Sequence, residues 1–148
     1  MVWPEYVLSV ILATIFGALI GLEREFHGKA AGLRTNILIC LGAAVFTIIS
    51  RQMTNGTEDS VTRIAAQIVT GVGFLGAGAI IQDRGGVHGL TTAATIWLVA
   101  SIGMACGAHL YQLALITTLI AIIVLIGLAK LARTLEYTEE KNKTKNIP

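Results

Sequence analysis

Charge is scarce in this chain of 148 residues: 14% are Asp, Glu, Lys or Arg, while 54% are hydrophobic and the mean hydropathy is +0.73. Ordinary soluble domains carry about 25% charge, so the chain has too little polar surface to cover a fold in water. The solvent that suits it is lipid. Cysteine is scarcer still. Cys40 and Cys106 form no C-x-x-C pair, which leaves neither a disulfide framework nor a thiolate zinc site. The net charge is only +2, and Lys and Arg form no long run. A phosphate backbone is gripped by clustered cations, so nucleic acid is excluded as a partner. No His, Ser or Cys set is placed for nucleophilic or metal chemistry. The expectation is no enzyme, no catalytic residues, no cofactor and no metal site.

What is present is length in apolar runs. A span needs about 20 residues, and five segments stand out: Tyr6 to Leu22, Thr35 to Ser50, Ile64 to Gln82, Leu90 to Ala105, and Leu110 to Ala132. Each is apolar all round, as a helix in lipid must be. Transmembrane strands alternate polar and apolar positions, and these runs do not. The expected fold is all-α, a polytopic membrane bundle of about five transmembrane helices occupying residues 1–135. Residues 136–148 are polar, mixed in charge and read as a solvated cytoplasmic tail. No large extramembrane domain is expected. Glu5 and the missing basic residues ahead of the first segment argue against a cleaved signal peptide.

Positive residues stay in the cytoplasm. With five spans, nine of the Lys and Arg residues fall on one side and only Arg51 and Arg63 on the other. The amino terminus is therefore expected outside and the carboxyl terminus inside.

An internal repeat is suggested by comparing the first two segments with the next two. Glu23-Arg24 and Asp83-Arg84 each close an apolar run, His27-Gly28 and His88-Gly89 follow, and G-L-x-T opens each even helix at Gly32 and Gly89. The pattern implies two helical hairpins of the same topology, related by an axis along the membrane normal. The alternative is that short Gly- and Ala-rich membrane helices resemble one another by composition.

Small residues let membrane helices approach closely. Gly17 and Gly21 mark the first helix, Gly71, Gly73, Gly76 and Gly78 the third, and Gly103 and Gly107 the fourth. One stripe of the third helix combines Ala66, Thr70, Gly73 and Ala77. These stripes place helix three at the centre of a tight bundle, and a Leu- and Ile-rich helix five at its rim. The run Gly71 to Gly78 reads as G-x-G-x-x-G-x-G, but nucleotide binding needs a strand before the turn, so close packing is the reading taken.

Polar residues cluster at the cytoplasmic boundary: Glu23, Arg24 and Glu25 leave helix one, Gln82, Asp83 and Arg84 leave helix three, and Arg34, Thr35, Asn36, Thr91 and Thr92 begin the even helices. Thr35 and Thr91 suit helix N-caps. The cluster reads either as interfacial anchoring or as a vestibule that engages a partner, an ion or a small anion. Arg63 and Gln67 lie one turn apart at the outer end of helix three, Arg63 placed to snorkel. Glu58 and Asp59 are read as solvated loop carboxylates, and the three histidines as structural or solvated.

The run from Gly21 to Phe46, R-I-A-A-Q-I-V-T-G-V-G-F-L-G-A-G-A-I-I from Arg63 to Ile81, and G-L-T-T-A-A-T-I-W-L-V-A-S-I-G from Gly89 to Gly103 together resemble the signature of the MgtC/SapB family. The resemblance covers most of the membrane part. It implies a bacterial cytoplasmic-membrane (inner-membrane) protein linked to growth at low magnesium, to stress adaptation and, in pathogens, to virulence. It also implies a regulator of other membrane machinery, including the proton-translocating ATP synthase. The better-studied relatives carry a further soluble carboxyl-terminal domain. The competing reading is a magnesium transporter or channel, yet intramembrane carboxylates mark ion paths and here only Glu23 and Asp83 stand near the spans. A homo-oligomer is expected, a dimer as the commonest closed assembly, with other membrane proteins and the lipid bilayer as further partners.

Overall fold

A computed structural model describes the backbone of residues 3–53, 58–84 and 86–145, and the side chains of residues 3–53, 65–84 and 86–128. Five helices make up almost all of it: α1 (Trp3–Phe26), α2 (Leu33–Met53), α3 (Glu58–Gly78), α4 (Leu90–Gly107) and α5 (Tyr111–Lys145). Pro4 stands in the first turn of α1, where its missing N–H costs nothing. α1, α2, α4 and the Tyr111–Leu128 part of α5 are long and apolar enough to cross a membrane, and Ala65–Gly78 is a shorter apolar stretch of α3. The chain is an all-α membrane bundle.

One expected boundary moves. α3 ends at Gly78 and does not carry Gln82. Its last turn tightens through Ala79 N to Gly76 O and Ile80 N to Ala77 O, and β1 (Ile81–Asp83) then pairs antiparallel with β2 (Gly86–His88). Ile80 and Ile81 are β-branched and prefer extended backbone, and Gly86 takes φ +126° on the return strand. Gln82, Asp83 and Arg84 therefore belong to an exposed hairpin between α3 and α4.

α4 holds the centre. Val99, Ile102, Ala105 and Cys106 pack with Ala13, Phe16 and Ile20 of α1, Cys40 and Ala44 of α2, and Ala114 and Ala121 of α5. On its other side Ile96 and Ala100 meet Ala43 of α2 and Ile68 and Val72 of α3. The expectation that helix three is central is overturned. Its buried stripe is Ile68, Val72 and Gly76, while Ala66, Thr70, Gly73 and Ala77 are exposed. The physical reason is orientation: the face of α3 that meets α4 and α2 is the one carrying the branched Ile68 and Val72, which bury more area than the small-residue face left outside.

The glycine stripes divide accordingly. A Cβ at Gly17 would lie 2.9 Å from the Asn36 carbonyl oxygen, and one at Gly21 2.8 Å from the Leu33 Cα. At Gly103 it would strike the Cys40 carbonyl, and at Gly107 the Ala44 carbonyl. These four glycines let α1 and α4 close on α2. Gly71, Gly73 and Gly78 face open space, and Gly76 alone of the α3 set touches a neighbour, the Ala93 carbonyl at 3.4 Å from its added Cβ. The expected packing role fails for Gly71, Gly73 and Gly78 within one chain.

The helix neighbours are the same when the two helical hairpins are exchanged. α1 packs on α2 and α4; α3 packs on α4 and α2; α2 and α4 meet each other. Exchanging α1 with α3 and α2 with α4 preserves every one of these pairs. α5 lies outside the exchange, packed on α1 and α4.

Candidate functional site

Glu23 and Arg24 end α1 as a buried ion pair, 7% and 3% exposed. Arg24 donates from Nε to Glu23 Oε2 at 2.6 Å and from Nη2 to Oε1 at 3.1 Å. His27, one turn further on, puts Nδ1 3.1 Å from Glu23 Oε1 and 2.8 Å from the Glu23 carbonyl oxygen. Both carboxylate oxygens of Glu23 are thus engaged. Such a carboxylate is a poor ligand for a hard cation, which needs free oxygens. Arg24 keeps a buried Nη1 without a protein hydrogen-bond partner.

The neighbouring residues build the start of α2. Glu25 Oε2 accepts from Leu33 N at 2.9 Å, so a side chain eight residues upstream caps the helix. A Cβ on Gly32 would meet that carboxylate, the far end of a flexible side chain, so the glycine lets Glu25 lie over the helix start without shifting. Asn36, fully buried, donates from Nδ2 to the carbonyls of Ala31 at 2.7 Å and Gly32 at 2.8 Å, leaving Oδ1 buried without a protein partner. Thr35 is not the cap; it lies within α2, and Arg34 and Thr35 are exposed.

The second copy of the motif is looser. Asp83 Oδ1 lies 3.4 Å from His88 Nε2, both residues exposed, and Arg84 is exposed beside them. Gly89 takes φ +88° at the N-cap of α4, where a Cβ would strike the Ala79 carbonyl; Gly28, which likewise follows a histidine, takes φ +61° just past the end of α1 rather than at a helix start. Thr91 is therefore an exposed first-turn residue rather than the cap, and Thr92 beside it is buried. Acid, histidine and left-handed glycine recur in both halves, but only the first acid and arginine are buried. Glu23, Arg24 and His27 form one cluster at the end of α1, Glu25 and Asn36 hold the start of α2 beside it, and Asp83 and Arg84 stand on the hairpin.

A second polar knot, at the opposite end, went unread. Ser9, fully buried, donates to the Glu5 carbonyl at 3.0 Å and lies 2.9 Å from Tyr111 Oη, which is itself 2.7 Å from His109 Nδ1. His109 carries φ +63° in the C′ position after α4, normally glycine. Leu110 N bonds to the Ala105 carbonyl and His109 N to the Cys106 carbonyl across it. Arg51 Nη1 donates to the Ala108 carbonyl at 2.6 Å. The knot ties α1 and α2 to the α4–α5 turn. A lone Ser in an apolar helix start was the available signal. The Arg63, Glu58 and Asp59 side chains lie outside the described residues; Gln67 is exposed on α3. Cys40 and Cys106 are both buried and free.

A bundle of apolar helices with a buried ion pair at a helix end defines a polytopic membrane protein. The MgtC family model matches residues 10–134, and the chain belongs to that family. It is 50% identical over 120 residues to Protein MgtC of Salmonella typhimurium (strain LT2), covering 81% of this chain and 51% of that protein. It is 46% identical over 140 residues to Protein MgtC of Brucella abortus (strain 2308), covering 93% of this chain and 58% of that one. The chain thus spans about half the length of the curated relatives it matches. No solved structure matches it.

Proposed function

We propose that the chain is a bacterial inner-membrane regulator of the MgtC type that acts on other membrane proteins during adaptation to low magnesium or related stress, including that met in virulence. It has no catalysis, cofactor or bound metal of its own. The observation that carries this reading is the closed state of Glu23, whose oxygens are taken by Arg24 and His27. A carrier for magnesium would need free oxygen ligands on its path. The amino terminus faces outward and the carboxyl terminus the cytoplasm, on the count of nine cations against two. The working unit is a homodimer.

Glu23, Arg24 and Glu25 set the geometry of the α1–α2 end; Arg34, Thr35, Asp83, Arg84 and Thr91 supply the exposed contacts around it. Arg34→Ala and Asp83→Ala are expected to leave expression and oligomer size unchanged, since exposed ion pairs are worth about 0–1 kcal/mol, and to abolish complementation of growth at low magnesium. Purified protein in sealed liposomes is expected to pass no magnesium above empty vesicles. Saturable flux abolished by these substitutions establishes the transporter instead, and full complementation by both variants reduces the cluster to anchoring.

A further inference from the structure

The exchange of α1 with α3 and α2 with α4 leaves one helix unmatched. α5 covers the groove between α1 and α4. Its counterpart, between α3 and α2, carries no helix and forms an apolar cavity of about 740 Å³. Gly42 of α2 and Gly71 of α3 line it with nothing within 4 Å of an added Cβ. Leu38 and Phe46 stand one turn either side of Gly42; Gln67 and Leu75 stand likewise around Gly71. Each wall is a glycine notch between two larger side chains, a shape that admits a helix closely.

We propose that the α2–α3 groove is the homodimer interface and that α3 of a second copy fills it, reciprocally, as α5 fills the matching groove. Two observations select a second copy. Gln67 is exposed in the groove and its amide has no hydrogen-bond partner among the described residues. An amide holds both donor and acceptor, so it satisfies itself across a two-fold axis, and polar side chains join membrane helices in this way. The outward side of α3 also combines Gly73, with open space over it, and Phe74, 81% exposed. A helix with a thin glycine face enters a groove deeply, and Phe74 of each copy is the bulk that occupies the other's cavity. With α3 of each copy seated between α2 and α3 of the other, the contact is isologous and closes as a dimer. Gly71 and Gly73, unused inside the protomer, have their contact here.

The proposal rests on the homodimer reading above, and the test separates the two. In the full chain with Cys40→Ala and Cys106→Ala, reconstituted in phospholipid nanodiscs, Gln67→Cys and an equal mixture of Leu38→Cys and Phe74→Cys chains are oxidised with copper phenanthroline, and Ile120→Cys on α5 serves as control. Disulfide dimers are expected from the first two and not from the third. Gly42→Leu puts its Cβ where nothing lies within 4 Å and the rest of its side chain into the open groove; with the melting temperature of the protomer checked to be unchanged, the dimer dissociation constant is expected to rise at least tenfold by mass measurement in mild detergent. A dimer that resists Gly42→Leu and cross-links at Ile120→Cys alone overturns the groove and leaves the homodimer standing. A monomer with phospholipid held in the groove overturns both.

Discussion

The division of the glycines into packed and open sets has a measurable consequence at Gly103. A Cβ there meets the backbone carbonyl of Cys40 and comes 3.0 Å from the Ala43 side chain. A helical carbonyl cannot rotate aside, so Gly103→Ala must push α4 away from α2 through the middle of the bundle. Overpacking of this kind costs about 1–3 kcal/mol, against a helix-propensity gain of roughly 1 kcal/mol for replacing glycine. Gly127 on α5 is the control, because nothing lies within 4 Å of its added Cβ and it gains the propensity alone. That gain cancels between the two variants, leaving Gly103→Ala less stable than Gly127→Ala by about 1–3 kcal/mol. For a chain of about this size each kcal/mol shifts Tm by about 2–4 °C. The assay is built into the protein: Cys40 and Cys106 are buried and free, so a thiol-reactive dye in detergent reports unfolding as they become accessible. If both variants melt together, the close contact between α4 and α2 is wrong.

Three further outcomes follow from the polar groups. Arg24→Met strips the counter-charge from a buried carboxylate and is expected to destabilise by about 3–5 kcal/mol, while Glu23→Gln with Arg24→Met recovers most of the loss; equal melting of the single and double variants refutes the buried pair. His109→Ala loses the Tyr111 contact and keeps a left-handed backbone, whereas His109→Gly loses the contact and sheds strain of about 1–2 kcal/mol, so the glycine variant is expected to melt higher by the same dye assay. Cysteines placed at Asn55 and Asn142 in a background lacking Cys40 and Cys106 are expected to label from opposite sides of the membrane, Asn55 from outside; labelling from one side refutes the proposed orientation.

The site was legible in part. Glu23-Arg24 followed by His27-Gly28 signalled a helix end with polar company, and Gly32 and Gly89 signalled helix starts. What the local pattern could not convey was which copy is buried. Glu23-Arg24 and Asp83-Arg84 read alike, yet α1 continues to Phe26 while α3 stops at Gly78 and hands its acid to an exposed hairpin. Ser9, His109 and Tyr111 escaped because they lie a hundred residues apart in sequence and meet only when α1 packs beside the α4–α5 turn.

Composition alone determined the solvent, the all-helical class and the five helices, because a backbone in lipid must satisfy its own hydrogen bonds within each segment and apolar length is counted along one strand of sequence. The markers that suggest a repeat are turn residues, and two of them, Gly28 and Gly89, adopt positive φ where they stand. Tertiary structure alone decided the order of burial. A glycine stripe permits close approach but does not choose a partner, so Gly17, Gly21, Gly103 and Gly107 close on α2 while Gly71 and Gly73 face outward. α4, not α3, became the centre because its two sides each meet a facing set of side chains, and facing is a property of the assembled helices.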